Sequence, residues 1–296
     1  MGKSVTVTVT VIANMTSNYS ESLGNIASVQ KIYRNQKEYA IRSRESLKNA
    51  IMIQSGMYDD LQTEVDGAAQ KKVNETLNAA NCRALEGGYM NTGNLTYKRN
   101  SSFYVTDAIS VESFINDARF HNNLYLAENA AKNAGINLQE KGKANEAGLM
   151  PYQYEYSKNL KVYSITIDLD MIGKDGNFNT EADNEEKIQR VKLLLNAVEN
   201  LSLVVKGNLD NAEPIFAVGG LSDRKTHVFE NVVKVRNGEL DVSDALCQKL
   251  EHGYEAGYLA NGEFKNEDEI IRKLKPQSVD KFFENLYVQV ENYYKM

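Results

Sequence analysis

Apolar and polar residues alternate strictly over residues 5–11, Val-Thr-Val-Thr-Val-Thr-Val, with every Val on one face and every Thr on the other. A period of two predicts a half-buried strand. Its Thr face is polar but uncharged, as on a sheet that faces a ligand or a second layer. A second strand is predicted over Leu160–Met171, where Tyr163, Ile165, Ile167, Leu169 and Met171 share one face. Val162, Ser164, Thr166, Asp168 and Asp170 share the other, the two aspartates reading as a solvated or interface edge.

Between these strands the pattern is less regular. Residues 14–40 show little periodicity and read as a long connection, a length that usually marks function or mobility. A helix is predicted over 42–54, with Ile41, Leu47, Ala50 and Ile51 inward. Residues 59–86 read as polar helix ending at Gly87-Gly88, Tyr97–Ile109 as strand, and Ser110 to Asn133 as helix closed by Gly135. Residues 135–150 read as loop and Pro151–Tyr156 as strand.

After a turn at Gly173–Gly176, Thr180 with Asp183 forms a capping-box pattern. Ile188, Val191, Leu194, Leu195, Val198 and Leu201 then make one helical stripe. Ile215–Val218 is a short apolar run ending at Gly219-Gly220, and Phe229–Val235 is a further strand closed by Asn237-Gly238. Residues 243–258 and 278–294 read as helices. The clear core is strand, helix, strand, strand, helix, strand. That βαββαβ order is the ferredoxin-like α+β fold, shared by RNA-recognition (RRM) modules. Residues 59–150, too long for a hairpin, are expected to be a mostly helical insertion.

Composition narrows the class. The 296 residues carry 34 Lys+Arg and 40 Asp+Glu, a net charge of −6, with 42% hydrophobic residues. These values exclude disorder and a disulfide-stapled mini-protein. The apolar runs fall short of the roughly 18 residues a membrane helix needs. The alternating N-terminal pattern is not the apolar core of a secretory signal. Cys82 and Cys247 are therefore read as free thiols of a cytoplasmic protein. In that compartment the Asn-x-Ser/Thr sites at Asn14 and Asn94 carry no glycan.

An acidic protein makes no global case for nucleic acid, so local clustering matters. Lys31, Arg34, Lys37, Arg42, Arg44 and Lys48 face only Glu38 and Glu45 within 18 residues, a local charge of +4. Guanidinium and ammonium groups near a helix start suit phosphates. The competing reading is a solvated helix face. In Gly219-Gly-Leu-Ser-Asp-Arg-Lys-Thr-His227, glycines permit close backbone approach while Arg224, Lys225 and His227 offer charge to phosphates. The alternative is a tight turn. Lys98-Arg99 lies between Tyr97 and Phe103-Tyr104, an interleaving that suits single-stranded nucleic acid or an ordinary basic strand edge.

Other motifs lead nowhere. Gly2-Lys3-Ser4 lacks the rest of a P-loop, and Met1-Gly2 lies too close to the first strand to serve as a lipidation site. Asp175–Glu186 imitates a calcium loop but has Thr180 where that loop requires glycine. His121, His227 and His252 have no metal-ligand spacing, so no metal, cofactor or catalytic centre is expected.

Taken in order, Ala13–Ser20, Gly24-Asn25, Val29–Arg34, Tyr39–Lys48, Ser102–Glu112 and Gly219–Phe229 resemble DevR-like CRISPR proteins, backbone subunits of type I-B Cascade in the RAMP superfamily. The resemblance runs from residue 4 to about 236. It implies an RRM-like palm (1–58 and 151–240) with a thumb loop near 205–228. Fingers would occupy 59–150, and C-terminal helices over 241–296 would pack on the palm. It further implies copies of the chain lined along a CRISPR RNA, beside other Cascade subunits, presenting the spacer for pairing with target DNA.

By motif match, Lys31, Arg34, Arg42, Arg44 and Lys48 would grip guide phosphates, and Gly219, Gly220, Arg224 and Lys225 would belong to the thumb side. Arg42-Ser43-Arg44 stands where many members have a Ser-Gly-Gln helix start. No catalysis is implied, since sequence is read by base pairing. Two rivals stay open. One is a RAMP-type RNA endonuclease with His227 as its catalytic candidate. Its target-cleaving form would use an aspartate after the first strand, and residues 14–37 contain none. The other is a protein-interaction scaffold without nucleic acid.

Overall fold

The computed structural model describes residues 4–20, 25–66, 68–92 and 96–296. The Met1–Lys3 motifs, Gly24 of the family pattern and Asn94 lie outside them. In chain order the central elements are β1 (Thr6–Thr16), β2 (Lys31–Arg34), β3 (Lys37–Arg42), α1 (Arg44–Gln54), β4 (Phe103–Val105) and β5 (Ala108–Ser110). Then come α2 (Leu124–Ala134), α3 (Lys143–Glu146), β6 (Lys158–Asp168), α4 (Asn184–Glu199) and β7 (Pro214–Ser222). The chain closes with α5 (Asp244–Leu250), β8 (Glu255–Tyr258), α6 (Glu267–Leu274) and α7 (Val279–Lys295).

The strands form one antiparallel sheet in the order β8-β7-β1-β6-β5-β3-β2, with β4 also paired to β6. The alternation of β1 fixes its place at the centre. Val9 pairs with Ile165 of β6 on one side and with Gly219 of β7 on the other. Val7, Val9 and Val11 face a core built with Leu47 and Ile51 of α1, Val191, Leu194, Leu195 and Val198 of α4, and Phe282, Phe283, Leu286 and Val290 of α7. Each such aliphatic side chain contributes about 1.5–3 kcal/mol on burial. Ser43, Asp183 and Ser278 cap α1, α4 and α7 by accepting from the N–H three residues on. The cap of α4 is therefore Asp183, and Thr180 instead donates to Asn78 Oδ1 at 2.7 Å.

The Thr face of β1 is also buried, beneath a second layer. Thr10 Oγ1 lies 2.7 Å from Ser164 Oγ, and Thr6 Oγ1 donates to the Arg224 carbonyl at 2.9 Å. Thr8 Oγ1 accepts from Val228 N at 3.3 Å. Buried hydroxyls need such partners. Over this face, Phe216 and Val218 pack with Phe229, Val233, Leu240, Leu246, Phe264 and Ile270. Asp168, expected at a solvated edge, is buried, accepting from Ser4 Oγ at 2.6 Å and pairing with Lys225 at 2.8 Å.

Several expectations change. The connection over 14–40 is largely sheet: β1 runs on to Thr16, and β2–β3 is an edge hairpin turned by Asn35 and Gln36 at φ 48° and 62°. The described residues of 59–86 form no α-helix. Thr63–Asp66 pairs with Ala68–Lys71, and a 3₁₀ turn spans Arg83–Gly87. Short polar side chains capture the N–H groups a helix would use: Asp60 accepts from Arg83 N at 2.6 Å, and Asn74 from Leu77 N at 2.8 Å.

Tyr97–Ile109 divides into three short strands, Thr96–Arg99, β4 and β5. The expected helix from Ser110 begins only at Leu124, after the strand Ala118–His121, although Gly135 does cap it in the left-handed region. The interval 59–150 is thus not mostly helical, and it supplies β4 and β5 to the central sheet. Residues 135–150 include the short α3. Phe229–Val233 forms turns whose Phe229 and Val233 serve the outer core, and the expected strand shrinks to Val235–Arg236, which pairs with Glu239–Leu240 across the Asn237-Gly238 turn. The 205–228 interval contains β7, and α5 stops at Leu250 so that β8 can pair with β7. Cys82 and Cys247 are free, and among the described residues no helix is long and apolar enough to cross a membrane.

Candidate nucleic-acid interface

Where the outer layer ends, the sheet face over β4–β6 opens into a groove of about 980 Å³. Val162 and Ser164 of β6 form its floor, with Tyr104 of β4 and Tyr39 of β3 beside them. Arg34 reaches it from the β2 end and Arg44 from the first turn of α1; His227, Lys234 and Arg236 line the opposite wall. The acidic groups along it are Asp107 and Glu230. Asp107 is already engaged, accepting from Arg44 N at 2.7 Å. Arg34, Lys234 and Arg236 are exposed, and none of the ion pairs among the described residues engages them. Arg44 pairs with Glu45 at 2.7 Å, both largely exposed, a contact worth little in water.

A smaller depression of about 340 Å³ shares Arg44, Tyr104 and Val105 with the groove and extends it toward Lys48 and Phe103. Tyr104 lines both, and Lys225 Nζ, paired with Asp168, lies 4.9 Å from the centre of its ring. The resulting track alternates cations with aromatic faces, the arrangement that pairs phosphates while bases stack.

His227 sits at the wall with Nδ1 2.8 Å from Thr166 Oγ1. Burial lowers its pKa from the ordinary imidazole value, against the opposing Glu230, and so favours the neutral ring.

The groove brings together Arg34, Arg44 and His227, with Lys225 and Arg224 near by on the same segment. Other candidates serve the fold. Arg42 is 5% exposed, with Nε donating to the Thr16 carbonyl at 3.0 Å and Nη1 to Ser46 Oγ at 2.9 Å. Burial lowers its pKa to about 10. Arg99 is buried against Glu86 at 2.9 Å and donates to the Leu85, Met171 and Lys174 carbonyls. Lys31 pairs with Glu155 at 2.7 Å and covers the Phe114 ring.

Lys48 donates to the Gly87 carbonyl at 3.1 Å and Ser101 Oγ at 2.8 Å, and burial lowers its pKa to about 8. Ser43 is a helix cap whose N–H donates to Asn18 Oδ1. Lys98 is exposed on the strand Thr96–Arg99, away from the residues that line the groove. Gly219 and Gly220 lie within β7, not in a ligand loop. A Cβ at Gly219 would meet the Thr8 carbonyl oxygen at 2.1 Å, so strand packing requires the missing side chain.

Tyr39, Lys234 and Arg236 were not anticipated. A signal existed for the last two: Val233-Lys-Val-Arg236 alternates, burying both Val and exposing Lys234 and Arg236.

The sequence matches the model of a family described as CRISPR-associated negative auto-regulator DevR/Csa2 over residues 7–238. No curated protein matches it. In fold it is similar to a chain of a solved CRISPR RNA-guided surveillance complex, with TM-score 0.54 and 14% identity over 98% of both chains. It is also similar to a chain of a CRISPR RNA-guided surveillance complex in a pre-nicking state. That match has TM-score 0.55 and 10% identity, covering 95% of this chain and 100% of the other. At these identities the likeness is one of fold.

Proposed function

The chain belongs to the CRISPR-associated DevR/Csa2 family, and from that premise we propose that it is a non-catalytic, cytoplasmic backbone subunit of a type I-B Cascade surveillance complex. It holds CRISPR RNA along the groove over β4–β6, beside further copies of itself and other Cascade subunits, and presents the spacer for pairing with target DNA. The observation that carries this reading is the groove itself. Arg34, Arg44, Lys234 and Arg236 converge on an open sheet face beside Tyr39 and Tyr104, in a protein whose net charge is −6. Confining positive charge to one track favours the intended polyanion over others. The likeness in fold to chains of RNA-guided surveillance complexes supports the same assignment.

The palm in this reading is a ferredoxin-like unit of β1, α1, β4/β5, β6, α4 and β7. Its strands run fourth-first-third-second across the sheet, with α1 and α4 packed into one core on the same face. The interval between β5 and β6 supplies the fingers. The hairpin Ser202–Val205/Asn208–Asn211, with Val204 and Leu209 exposed, supplies the thumb. The groove positions a backbone and reads no base, so specificity rests on pairing.

The test is the salt dependence of single-stranded RNA binding. Each phosphate contact contributes about 0.7 to the slope of log affinity against log salt, so four contacts give a slope of about −2.8. That is roughly a 50-fold loss of affinity from 50 to 200 mM salt. Joint alanine substitution of Arg34, Arg44, Lys234 and Arg236 is expected to weaken binding more than tenfold and flatten the slope. An unchanged slope overturns the groove assignment, and RNA cleavage by the purified chain, abolished by His227→Ala, overturns the non-catalytic one.

A further inference from the structure

The small depression beside the start of α1 holds an amine poorly suited to carrying a proton. It has a volume of about 340 Å³ and is lined by Arg44, Glu45 and Lys48 of α1 and by Phe103, Tyr104 and Val105 of β4. In its wall, Lys48 Nζ donates to the Gly87 carbonyl at 3.1 Å and to Ser101 Oγ at 2.8 Å, and lies 4.7 Å from the centre of the Phe103 ring. Among the described residues no third acceptor reaches it. An ammonium has three N–H groups to place, whereas a neutral amine has two and a lone pair. The two acceptors therefore satisfy the amine and leave its lone pair available. Burial lowers the Lys48 pKa to about 8, helped by the charge of Lys71 and opposed by Glu45.

Arg44 supplies the other half of the site. Among the described residues its guanidinium meets Glu45 through Nε, in a largely exposed pair, so both Nη groups are open to an incoming anion. A phosphoryl group is the anion that a guanidinium fork fits best. Lys161 marks the contrast. Its pKa is also lowered, to about 7, but it is fully buried and donates to the Met15 carbonyl and Asn159 Oδ1, beyond the reach of a reagent. Lys48 combines weakened basicity with an open wall.

We propose that Lys48 is a covalent acylation site, and that the depression seats a small acyl phosphate with its phosphoryl group on Arg44 and its carbonyl carbon at Lys48 Nζ. The lone pair attacks that carbon and forms the C–N bond. The bond from carbon to the phosphate oxygen breaks, the oxygen keeps its electron pair, and inorganic phosphate leaves. The amine proton passes to water, and nothing is oxidised or reduced. The amide product is uncharged and keeps one N–H for two acceptors, so it loosens the turn Arg83–Gly87 from α1. It also removes a cation from the end of the groove. That last consequence rests on the RNA-holding reading; the acylation itself does not.

Acetyl phosphate is the probe, and peptide mass spectrometry of the purified full chain reads each lysine. At about pH 7.5 roughly a quarter of Lys48 is neutral, against about one part in a thousand of an ordinary lysine. Its lower basicity makes the amine a weaker nucleophile and offsets part of that difference. Lys48 is thus expected to acetylate about tenfold faster than the exposed Lys98 and Lys132. Arg44→Ala, an exposed substitution, is expected to slow the reaction of Lys48 with acetyl phosphate about fivefold. The same variant is expected to react at the wild-type rate with p-nitrophenyl acetate, which has no phosphoryl group. The proposal falls if Lys48 reacts no faster than Lys98, or if Arg44→Ala slows both donors alike or slows neither. No RNA enters the measurement, so its failure leaves the proposed function standing. Unchanged RNA binding by the groove variant overturns the groove and leaves the acylation site standing.

Discussion

Replacing Glu86 by Gln perturbs the most heavily loaded buried charge in the molecule. Glu86 is fully buried, with Oε2 accepting from Arg99 Nη2 at 2.9 Å and Ser102 Oγ at 2.5 Å, and Oε1 from Arg190 Nη1 at 2.7 Å and Gly173 N at 2.7 Å. The Arg99 and Arg190 side chains are 4% and 1% exposed. Gln keeps the shape and removes the charge, leaving the buried Arg99 guanidinium facing an amide and Arg190 held by Glu186 at 2.8 Å. Breaking such a buried pair costs about 3–5 kcal/mol. Unfolding entropy of about 2.1 cal/mol/K per residue gives about 0.6 kcal/mol per degree for this chain, so Tm is expected to fall by about 5–8 °C.

Calorimetry at pH 7 reads this directly. A fall below about 2 °C would refute the assignment of Glu86 as the counter-charge of Arg99. Replacing all three groups together by apolar residues (Glu86→Leu, Arg99→Met, Arg190→Met) is expected to recover most of the loss, since the burial cost goes with the charges. The network matters to the groove because the 3₁₀ turn that carries Glu86 also presents the Gly87 carbonyl to Lys48.

Arg42 and Arg44, two residues apart, are expected to separate cleanly: Arg42→Ala lowers Tm by several degrees through lost bonds to Thr16 and Ser46, whereas Arg44→Ala leaves Tm within about a degree and weakens RNA binding. Lys161 is fully buried, and its pKa is lowered from 10.5 to about 7 by burial and by Arg42, against the opposing effect of Asp210. Between these values the unfolded chain binds a proton that the folded site refuses, so its contribution makes stability rise with pH from about 7 toward 10. Lys161→Met is expected to flatten that limb of the Tm–pH curve; an unchanged slope contradicts a depressed Lys161. Gly219→Ala is expected to abolish soluble folded protein, because its Cβ collides with the Thr8 carbonyl; a variant folding at the wild-type Tm contradicts the packing role.

Long regular patterns were legible and short ones were not. The Val/Thr alternation of β1 extends over seven residues, and the alternating face of β6 and the stripes of α1, α4 and α7 over ten or more, long enough for a period to emerge. The edge hairpin β2–β3 and the pairs Thr63–Lys71 and Tyr89–Arg99 are four to six residues per strand, so turn chemistry and tertiary pairing decide them. The same limit applies to the site. Local charge density marked the stretch from Lys31 to Lys48, but density does not tell which side of an element a residue faces. Arg34 and Arg44 point to water while Arg42, at the end of β3, turns inward to Thr16. Lys234 and Arg236 join them only because the outer layer folds back over the sheet, a contact made across about two hundred residues of chain.

The central claim is that this chain holds CRISPR RNA in the groove over β4–β6. Its most direct test is to purify the chain together with its CRISPR neighbours, as wild type and as the Arg34/Arg44/Lys234/Arg236 alanine variant, and to sequence the RNA each retains. The account predicts uniform repeat-and-spacer RNA with the wild type and its depletion by more than tenfold from an equally folded variant. Repeat-and-spacer RNA retained equally by both, or nucleic acid absent from the wild type, contradicts it.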